Sequence, residues 1–351
     1  MTTQKLSTKT IDVSSLTSDD DGKRLTVDAN NALALIASDS PFFDLPKFTY
    51  TGSVAGYTAG GRAPPTMYNT VDKYPFSSDT NATDVGDLTI ARNYYAGQSS
   101  TTHGYETGGL TSSSQETQKF PFSSDENATG NLFDLSIKRY GGVGCSSSTH
   151  GYHAGGYTVP GQPVPATQQN IIDKFPFSSD ENATDVGDLT VARAEAGAGF
   201  SFNEAAYAAG GSPATDVINR WSTVSDGNAT DVGELIVAVN GGSGSSSGTH
   251  GYHCGGDDGS ISRDEISKFS FTSNSPATDI AELSRSASFI GGGTSSTTNG
   301  YSVGGRPRPS VGTNIIDKFP FSSDSPASDI GNLTVARLEV ASNQSGITPI
   351  A

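Results

Sequence analysis

The stretch Asp173–Arg193 reads DKFPFSSDENATDVGDLTVAR, and close copies of it recur along the 351-residue chain. Asp72–Arg92 reads DKYPFSSDTNATDVGDLTIAR, and Asp317–Arg337 reads DKFPFSSDSPASDIGNLTVAR. Weaker copies begin near Gln118, Asn219 and Ser267. Such self-similarity predicts a repeat architecture, in which each unit is one structural module stacked against its neighbours.

A glycine doublet lies upstream of each copy, and successive doublets are 45 to 55 residues apart. The doublets are Gly60–Gly61, Gly108–Gly109, Gly155–Gly156, Gly210–Gly211, Gly255–Gly256 and Gly304–Gly305. Each unit also contains four short strand signals bounded by turn residues, which in the third unit are near 140–145, 151–155, 171–177 and 189–192. Four strands in a unit of this length predict one blade of a β-propeller.

The period and the doublet resemble kelch repeats over about residues 50–345. Typical kelch repeats carry a Tyr and Trp pair that is missing here, since Trp221 is the only tryptophan. The expected fold class is therefore all-β, a six-bladed kelch-like β-propeller with a non-repeating N-terminal arm.

Two domains are expected, an arm at 1–46 and a propeller at 47–351. The arm contains the alternating apolar pieces Ile11–Val13 and Leu25–Val27, so it is predicted to order against a partner, with a disordered tail as the alternative. The segment Leu338–Ser345 occupies the place of a first strand, whereas no clear first strand precedes Gly56. We therefore expect the C-terminal strand to complete the first blade and to close the ring.

Composition excludes some classes of partner. The formal net charge is −16, which argues against binding to nucleic acid or to an anionic membrane. No apolar run approaches the roughly 20 residues of a membrane span, and the first ten residues lack the apolar core of a secretory signal. Cys145 and Cys254 lie two units apart and are expected to be free buried thiols, which favours a reducing cytoplasm.

Nearly all length variation between the units lies in one loop. The segment from the strand-three cation to the end of strand four spans 19 or 20 residues, whereas the connection from the doublet to strand three spans 9 to 18. Recognition usually resides in the variable loops of a rigid scaffold, so these loops, near 62–70, 157–170, 257–265 and 306–314, form the candidate binding face; unselected surface variation is the alternative. The candidate residues are Arg62, Tyr68, Tyr157, Gln162, Gln168, Asp257, Arg263, Arg306 and Arg308.

The loop SSDxNATDVGD offers carboxylate and amide oxygens that a cation such as Ca²⁺ would accept. However, Pro276 and Pro326 stand where the first unit has Asn81, and Gly130 replaces Asp84. Turns capped by Asp and Asn side chains account for all six units, so no metal site is expected. The Asn-Ala-Thr sequons in these loops are interpreted as turns in the same way.

The remaining repeated side chains are predicted to be structural. His150 and His153 lie three residues apart on a strand and so point to opposite faces, which prevents joint chelation. The strand-three cations and the strand-four arginines are expected to form ion pairs between strands or blades. The strand-three aromatic pairs are expected to fill the gap between blades, and the proline inside each pair, such as Pro176, predicts a bulge or an early strand end.

No pattern of catalytic residues emerges. The chain offers no Ser-His-Asp or Cys-His set and no glycine-rich phosphate loop, and no repeat carries a residue that stands out as belonging to the ring centre. We expect no enzyme activity and no cofactor.

The string DKFPFSSDxNATDVGDLTVAR, with SSTTHGY and SSSTHGYHAGG, resembles repeats in virion proteins of marine bacteriophages, including cyanophages. This resemblance implies a virion structural protein of the tail, fibre or capsid, made in the host cytoplasm, with its arm docked to other virion proteins. Its partners would include a host-surface glycan or protein, with neither nucleic acid nor membrane insertion, and it allows a homo-oligomer on the particle. A soluble carbohydrate-binding or lyase-type propeller and a cellular interaction scaffold are the alternatives.

Overall fold

The computed structural model describes residues 50–110, 115–159, 167–195, 198–309 and 312–347, together with two strands nearer the N-terminus. These strands, β1 (Lys23–Val27) and β2 (Leu33–Ala37), form an antiparallel pair. The chain divides into two compact units, Met1–Lys47 and Phe48–Ala351. Both strands fall within the predicted docking arm: Leu25–Val27 lies in β1, whereas Ile11–Val13 lies outside the described residues.

The second unit is a six-bladed β-propeller, so the predicted all-β class and blade number are confirmed. Strands are numbered along the chain and grouped here by blade. Blade one contains β3 (Ala55–Ala59), β6 (Thr70–Pro75), β7 (Thr83–Asp87) and β29 (Ala341–Gln344). Blade two contains β8 (Tyr95–Ser99), β9 (His103–Gly108) and β10 (Thr117–Pro121). Blade three contains β12 (Val143–Ser146), β13 (His150–Ala154), β15 (Gln169–Pro176) and β16 (Thr184–Arg193).

The other three blades have four strands each, and two short accessory pairs lie outside the blades. Blade four contains β17 (Ala198–Phe202), β18 (Ala205–Ala209), β19 (Thr215–Ser222) and β20 (Thr230–Val239). Blade five contains β21 (Ser243–Ser246), β22 (His250–Cys254), β23 (Glu265–Ser270) and β24 (Thr278–Glu282). Blade six contains β25 (Gly292–Ser295), β26 (Asn299–Val303), β27 (Thr313–Pro320) and β28 (Ser328–Arg337). The accessory pairs are β4 (Arg62–Ala63) with β5 (Thr66–Met67) and β11 (Arg139–Tyr140) with β14 (Tyr157–Thr158). Across the described ranges, no helix is long and apolar enough to span a membrane.

The C-terminal strand closes the ring as expected. β29 is the inner strand of blade one and pairs antiparallel with β3, with Ala341 opposite Ala59 and Gln344 opposite Gly56. Closure pairs the edges of the first and last units, which would otherwise expose unpaired backbone groups.

The fourth strand differs from its predicted extent. β16 begins at Thr184 rather than near Leu189, because the Asp-Val-Gly segment pairs with strand three through a bulge at Ile172/Asp173. Blade two has three named strands; where the other units continue with Asp-Val-Gly, Asp-Ile-Ala or Asp-Ile-Gly, it has Gly130 and the positive-φ residue Asn131. Its fourth position is reduced to isolated bridges.

Aromatic side chains fill the gaps between blades, as predicted. The tyrosine of each HGY-type motif packs on the strand-three aromatic residues of the next blade. Each aromatic pair contributes about 0.5–1.5 kcal/mol of stability beyond the effect of the area that it buries. The ring-centre separations are 5.0 Å for Tyr57–Phe122 and for Tyr105–Phe177, 4.8 Å for Tyr207–Phe271 and for Tyr252–Phe321, 4.9 Å for Tyr301–Phe76, and 6.3 Å for Tyr152–Trp221. The proline between the aromatic residues ends its strand, as at Pro176, so the early-end alternative is confirmed.

A closed cycle of hydrogen bonds, here called the serine belt, joins the inner strands of all six blades. At each step a backbone N–H donates to a side-chain oxygen of the neighbouring inner strand. The steps are Ser99 to Ser146 (3.0 Å), Ser146 to Ser201 (2.9 Å), Ser201 to Ser246 (3.4 Å), Ser246 to Ser295 (2.7 Å), Ser295 to Gln344 (2.6 Å) and Gln344 to Ser99 (3.1 Å). Each inner strand is thereby fixed in register with the next.

A second cycle joins the blades near their outer edges. The alanine of each Asn-Ala-Thr-type segment donates its N–H to a carbonyl of the preceding blade, at 2.8 to 2.9 Å in all six blades. The asparagine before this alanine accepts a hydrogen bond from a backbone N–H of that preceding blade; for example, Asn182 Oδ1 accepts from Asp134 N–H at 3.0 Å. Of the oxygens considered as cation ligands in the first unit, Asn81 Oδ1 accepts from Asn332 N–H and Asp84 Oδ1 accepts from Gly86 N–H, as the capping interpretation predicted, whereas Asp79 pairs with Lys318.

Ion pairs between blades follow the repeat. Five strand-three lysines pair with the aspartate of the next SSD turn, at 2.6 to 3.0 Å: Lys73–Asp125, Lys119–Asp180, Lys174–Asp226, Lys268–Asp324 and Lys318–Asp79. These pairs are partly exposed, so each contributes about 0–1 kcal/mol. At the sixth position Asn274 replaces the aspartate opposite Arg220. The predicted role of the lysines is thus confirmed.

Deeper pairs join the end of one blade's fourth strand to strand three of the next. They are Arg139–Asp173 and Arg337–Asp72, each at 3.0 Å, and Arg285–Asp317. At the equivalent position Arg193 donates to neutral Asn219, and between blades four and five Val239 and Ser267 replace both charges. The chain therefore contains charged and uncharged versions of one contact.

Both cysteines are free and buried, as predicted. The strand-two position that faces the preceding blade is occupied by Thr58, Glu106, His153, Ala208, His253 and Ser302 in blades one to six. Burial raises the pKa of the Glu106 carboxyl and lowers the pKa of the His153 and His253 imidazoles.

We expect acid to weaken the propeller partly through His253. Burial lowers its pKa to about 4, whereas a histidine in an unfolded chain titrates near ~6.5. The unfolded state therefore takes up a proton first, so the contribution of His253 is fully present above about pH 6.5 and is lost as pH falls towards 4. A shift of this size corresponds to about 3 kcal/mol. Urea unfolding of wild type and His253→Ser at pH 7 and pH 4.5 measures it, since serine is the residue of blade six.

The free energy of unfolding should fall less with acid in His253→Ser than in wild type. The matched control is His250→Asn, which copies Asn299 of blade six at a more exposed position and should retain most of the acid sensitivity. Equal losses in His253→Ser and wild type would contradict the assignment.

Candidate functional site

The variable loops lie beside the connections that enter the inner strands. In each blade the loop between strands two and three bonds to the connection from the preceding blade's fourth strand. These contacts are Arg62 with Leu338, Leu110 with Asn93, Tyr157 with Tyr140, Ser212 with Ala194, Asp257 with Asn240, and Arg306 with Ser288. The six loops therefore surround the end of the central channel where the inner strands begin.

Six equivalent residues ring this end of the channel, and we call them the channel mouth. They are Tyr94, Gly141, Glu195, Gly241, Phe289 and Glu339, with φ values of 59°, 68°, 42°, 65°, 50° and 57° respectively. A left-handed backbone costs a non-glycine residue roughly 1–2 kcal/mol. Two blades use glycine here, whereas four keep a large side chain in spite of this strain. Retained strain of this kind is characteristic of functional sites.

The mouth opens into a cavity of about 80 Å³. Beneath the mouth, the cavity is lined by the small residues of the inner strands: Gly97, Gly144, Gly199, Gly244, Gly293 and Ser342. Glycine is needed in this layer because a Cβ on Gly144 would lie 2.1 Å from the carbonyl oxygen of Gly97. The same layer borders a second cavity of about 40 Å³, whose lining includes Tyr50.

Tyr50 covers the channel at the serine belt. Its hydroxyl accepts from Ser146 Oγ at 3.1 Å, and its carbonyl accepts from Gln344 Nε2 at 2.7 Å. Burial raises the pKa of the Tyr50 hydroxyl to about 12. The channel is therefore accessible from the mouth and obstructed at the belt.

The two carboxylates of the mouth have different surroundings. Glu339 is buried and pairs with Arg62, with Nε–Oε2 at 2.5 Å and Nη2–Oε1 at 2.7 Å, and Asn93 donates to it as well. Glu195 is half-buried and accepts from the Tyr94 hydroxyl at 3.4 Å, and no cation within the described ranges forms an ion pair with it. Burial, followed by the charge of Glu339, raises the pKa of Glu195. Burial, followed by both carboxylates, raises the pKa of Tyr94.

Two predicted binding residues reach the mouth. Besides pairing with Glu339, Arg62 places its guanidinium 5.9 Å from the centre of the Tyr94 ring. Arg306 lies 4.8 Å from the centre of the Phe289 ring. These arginines thus flank the mouth from the loops of blades one and six.

The other predicted residues mostly bind one another in the variable loops. Tyr157 stacks beside Tyr140 at 5.6 Å and its hydroxyl accepts from Gln168 Nε2 at 3.0 Å. Asp257 is buried and pairs with Arg308 at 2.7 Å. Arg263 pairs with Asp258 and Glu265. Tyr68 is partly exposed, and its N–H donates to the Gly61 carbonyl. Gln162 lies outside the described residues.

The mouth itself was missed at the sequence level. The sequence suggested no distinctive residue at the ring centre, and this expectation is wrong, since Tyr94, Glu195, Phe289 and Glu339 gather there. All of them stand two residues beyond the strand-four arginine or its equivalent. The residue type at this position changes from blade to blade, although the segment around it has a nearly constant length. That position reads as a tight turn until ring closure brings the six copies together.

Within the described residues, no three His, Cys, Asp or Glu side chains gather closely enough to hold a metal ion. The partly exposed histidines bond locally, as His150 Nδ1 does with Thr149 Oγ1 at 2.8 Å, and buried His153 Nδ1 bonds Thr107 Oγ1 of the neighbouring blade at 2.8 Å. These contacts give the histidines structural roles.

Fold and site together define the chain as a six-bladed β-propeller whose variable loops surround an open channel mouth. No protein-family model matches the chain, and no curated protein shows significant similarity to it.

Proposed function

We propose that this chain is a structural protein of a phage virion and that its propeller recognises a partner through the channel mouth and the surrounding loops. The observation that carries the recognition role is the mouth, where four blades place large side chains of three kinds at strained equivalent positions over a cavity. The virion assignment is supported by the resemblance of the repeats to marine phage virion proteins. The partner would be a host-surface glycan or protein.

The distribution of sequence variation supports the same role. The end of the propeller with the Asn-Ala-Thr segments repeats the same contacts in all six blades, whereas the loops around the mouth differ in length and composition. A rigid scaffold with one individual face suits presentation of a binding site. The N-terminal arm at 1–46 would dock to other virion proteins.

Carbohydrate binding or lyase-type chemistry by a soluble propeller is the second candidate. The specific observation that favours it is the group of unlike side chains at the ring centre, with two carboxylates and a tyrosine hydroxyl within one cavity. Carboxylates and tyrosine serve both in sugar recognition and in general acid–base catalysis. Turnover of a polysaccharide panel distinguishes a lyase from a binding protein.

Immunogold electron microscopy of purified particles tests the virion role. Label at a tail or fibre tip is the result expected for host recognition, and label over the head would indicate a capsid protein. Particles without label would overturn the virion assignment and favour a soluble enzyme or a cellular scaffold.

We expect a chain lacking residues 1–46 to keep its propeller fold and to be lost from particles. Circular dichroism checks the fold and quantitative immunoblotting of purified particles checks incorporation. A control with the same residues replaced by a Gly/Ser linker separates chain length from docking sequence. Unchanged incorporation of the deleted chain would contradict the docking role of the arm.

A further inference from the structure

The cavity at the channel mouth has aromatic and acidic walls. A water molecule needs roughly 10–15 Å³ of cavity volume. The cavity at the mouth has about 80 Å³ and therefore accommodates several groups of the size of a water molecule. Tyr94, Tyr95 and Phe289 are the aromatic residues of the lining. A channel this narrow admits a side chain or one small functional group of a larger ligand.

The charge of this cavity is one-sided. Of the described residues that line it, the charged ones are Glu195 and Glu339, and both are acidic. Arg62 compensates Glu339 from the adjacent loop. Arg306 lies against the Phe289 ring and has no ion pair with Glu195 in the described part of the chain. Glu195 therefore presents to the cavity a carboxylate with no ion-pair partner among the described residues, beside the hydroxyl of Tyr94, and Arg62 acts on it only through its more distant charge.

The cavity also holds an unpartnered polar atom below the mouth. Ser342 stands where the other five blades have glycine, and its buried Oγ has no hydrogen-bond partner among the described residues. A ligand that enters from the mouth therefore meets the Glu195 carboxylate and the Tyr94 hydroxyl first.

We infer that the channel mouth binds a protonated primary amine carried by its ligand. The ammonium group would donate hydrogen bonds to the Glu195 carboxylate and to the Tyr94 oxygen. An anionic group would be repelled by Glu195, and a neutral hydroxyl would leave Glu195 without an ion-pair partner. The inference rests on the proposed recognition role and names the chemistry that the site would select.

Isothermal titration of the full-length protein tests this chemistry. The amine probes are n-butylammonium, Nα-acetyl-lysine methylamide and glucosamine, and the neutral probes matched to them are n-butanol, Nα-acetyl-norleucine methylamide and N-acetylglucosamine. At least one amine should bind at least tenfold more tightly than its neutral partner. Glu195→Gln should weaken that binding at least tenfold while leaving the melting temperature unchanged.

Glu204→Gln is the matched control, because Glu204 is an exposed acid in the turn between β17 and β18, at the opposite end of blade four. Its amine affinity should equal that of wild type. Tighter binding of glucosamine would identify an amino sugar as the source, and tighter binding of the lysine derivative would identify a protein side chain; either result supports the inference. Absence of amine binding, equal binding of amine and neutral probes, or unchanged binding by Glu195→Gln would overturn it.

Failure of this inference and failure of the proposed function are distinguishable. Particle labelling tests the virion role without reference to the ligand, and titration of the soluble chain tests the ligand without reference to particles. If particles are labelled but the protein does not bind amines, the virion role stands and the inference of an amine ligand is overturned.

Discussion

A chain that ends at Val340 is expected to lose the closed propeller and to unfold or aggregate at room temperature. The truncation removes β29, so blade one loses its inner strand and β3 loses its partner. It also opens the serine belt at Gln344, whose N–H donates to Ser99 Oγ at 3.1 Å and whose Oε1 accepts from Ser295 N–H at 2.6 Å. Domains are stabilised by only about 5–15 kcal/mol, so removal of a whole inner strand should exceed the reserve.

Circular dichroism melting and size-exclusion chromatography measure this effect. The matched control ends at Ile347, which retains β29 and the belt and should melt within a few degrees of the full chain. A monomeric truncated chain with a cooperative transition close to that of wild type would contradict the closing role of β29. Gln344→Ala should give an intermediate result, because it removes only the belt side chain at an estimated cost of about 1–3 kcal/mol.

Replacing Asp173 by alanine is expected to lower the free energy of unfolding by about 3–5 kcal/mol, because it leaves Arg139 charged and buried without its counterion. Both side chains are fully excluded from solvent, and Arg139 Nη2 lies 3.0 Å from Asp173 Oδ2. Burial lowers the pKa of Arg139, and the Asp173 charge opposes this shift. Equilibrium urea unfolding at pH 7 provides the measurement.

The chain supplies the matched control for this pair. The double variant Arg139→Val/Asp173→Ser copies Val239 and Ser267, which form the equivalent contact between blades four and five. A buried ion pair replaced by uncharged residues is often close to neutral in stability, so the double variant should be more stable than Asp173→Ala. A double variant as unstable as the sum of its single variants would show that the loss came from packing instead of charge.

Much of the fold follows from the sequence alone because repeats encode contacts between neighbours. Each unit carries the same HGY-type tyrosine and strand-three cation, and five of the six carry the SSD aspartate, so a contact inferred once applies to most of the ring, as Lys174 with Asp226 shows. The missing first strand before Gly56 and the surplus strand at the C-terminus also predicted closure. The length of the fourth strand was underestimated because Asp185 and Gly187 resemble turn residues, although tertiary pairing with β15 extends them.

The candidate site was only partly accessible from sequence. Variation in loop length indicated the correct end of the propeller, yet most of the charged loop residues proved to pair within that face, as Asp257 does with Arg308. The mouth residues Tyr94, Glu195 and Phe289 carried no local motif. Each resembles an ordinary residue at the start of a strand.

The sequence by itself determined the blade, its number of copies and the contacts between adjacent copies, because these depend on interactions that recur at a fixed period. Only the tertiary structure decided what the ring centre contains. Positions about 50 residues apart meet there after closure, and the chemistry of the mouth comes from the side chains of Tyr94, Glu195, Phe289 and Glu339, which four different blades supply. Residues that differ from blade to blade leave no periodic signal in the sequence. The cavity, the Glu195 carboxylate that lines it and the position of Tyr50 across the channel are therefore seen only in the closed ring.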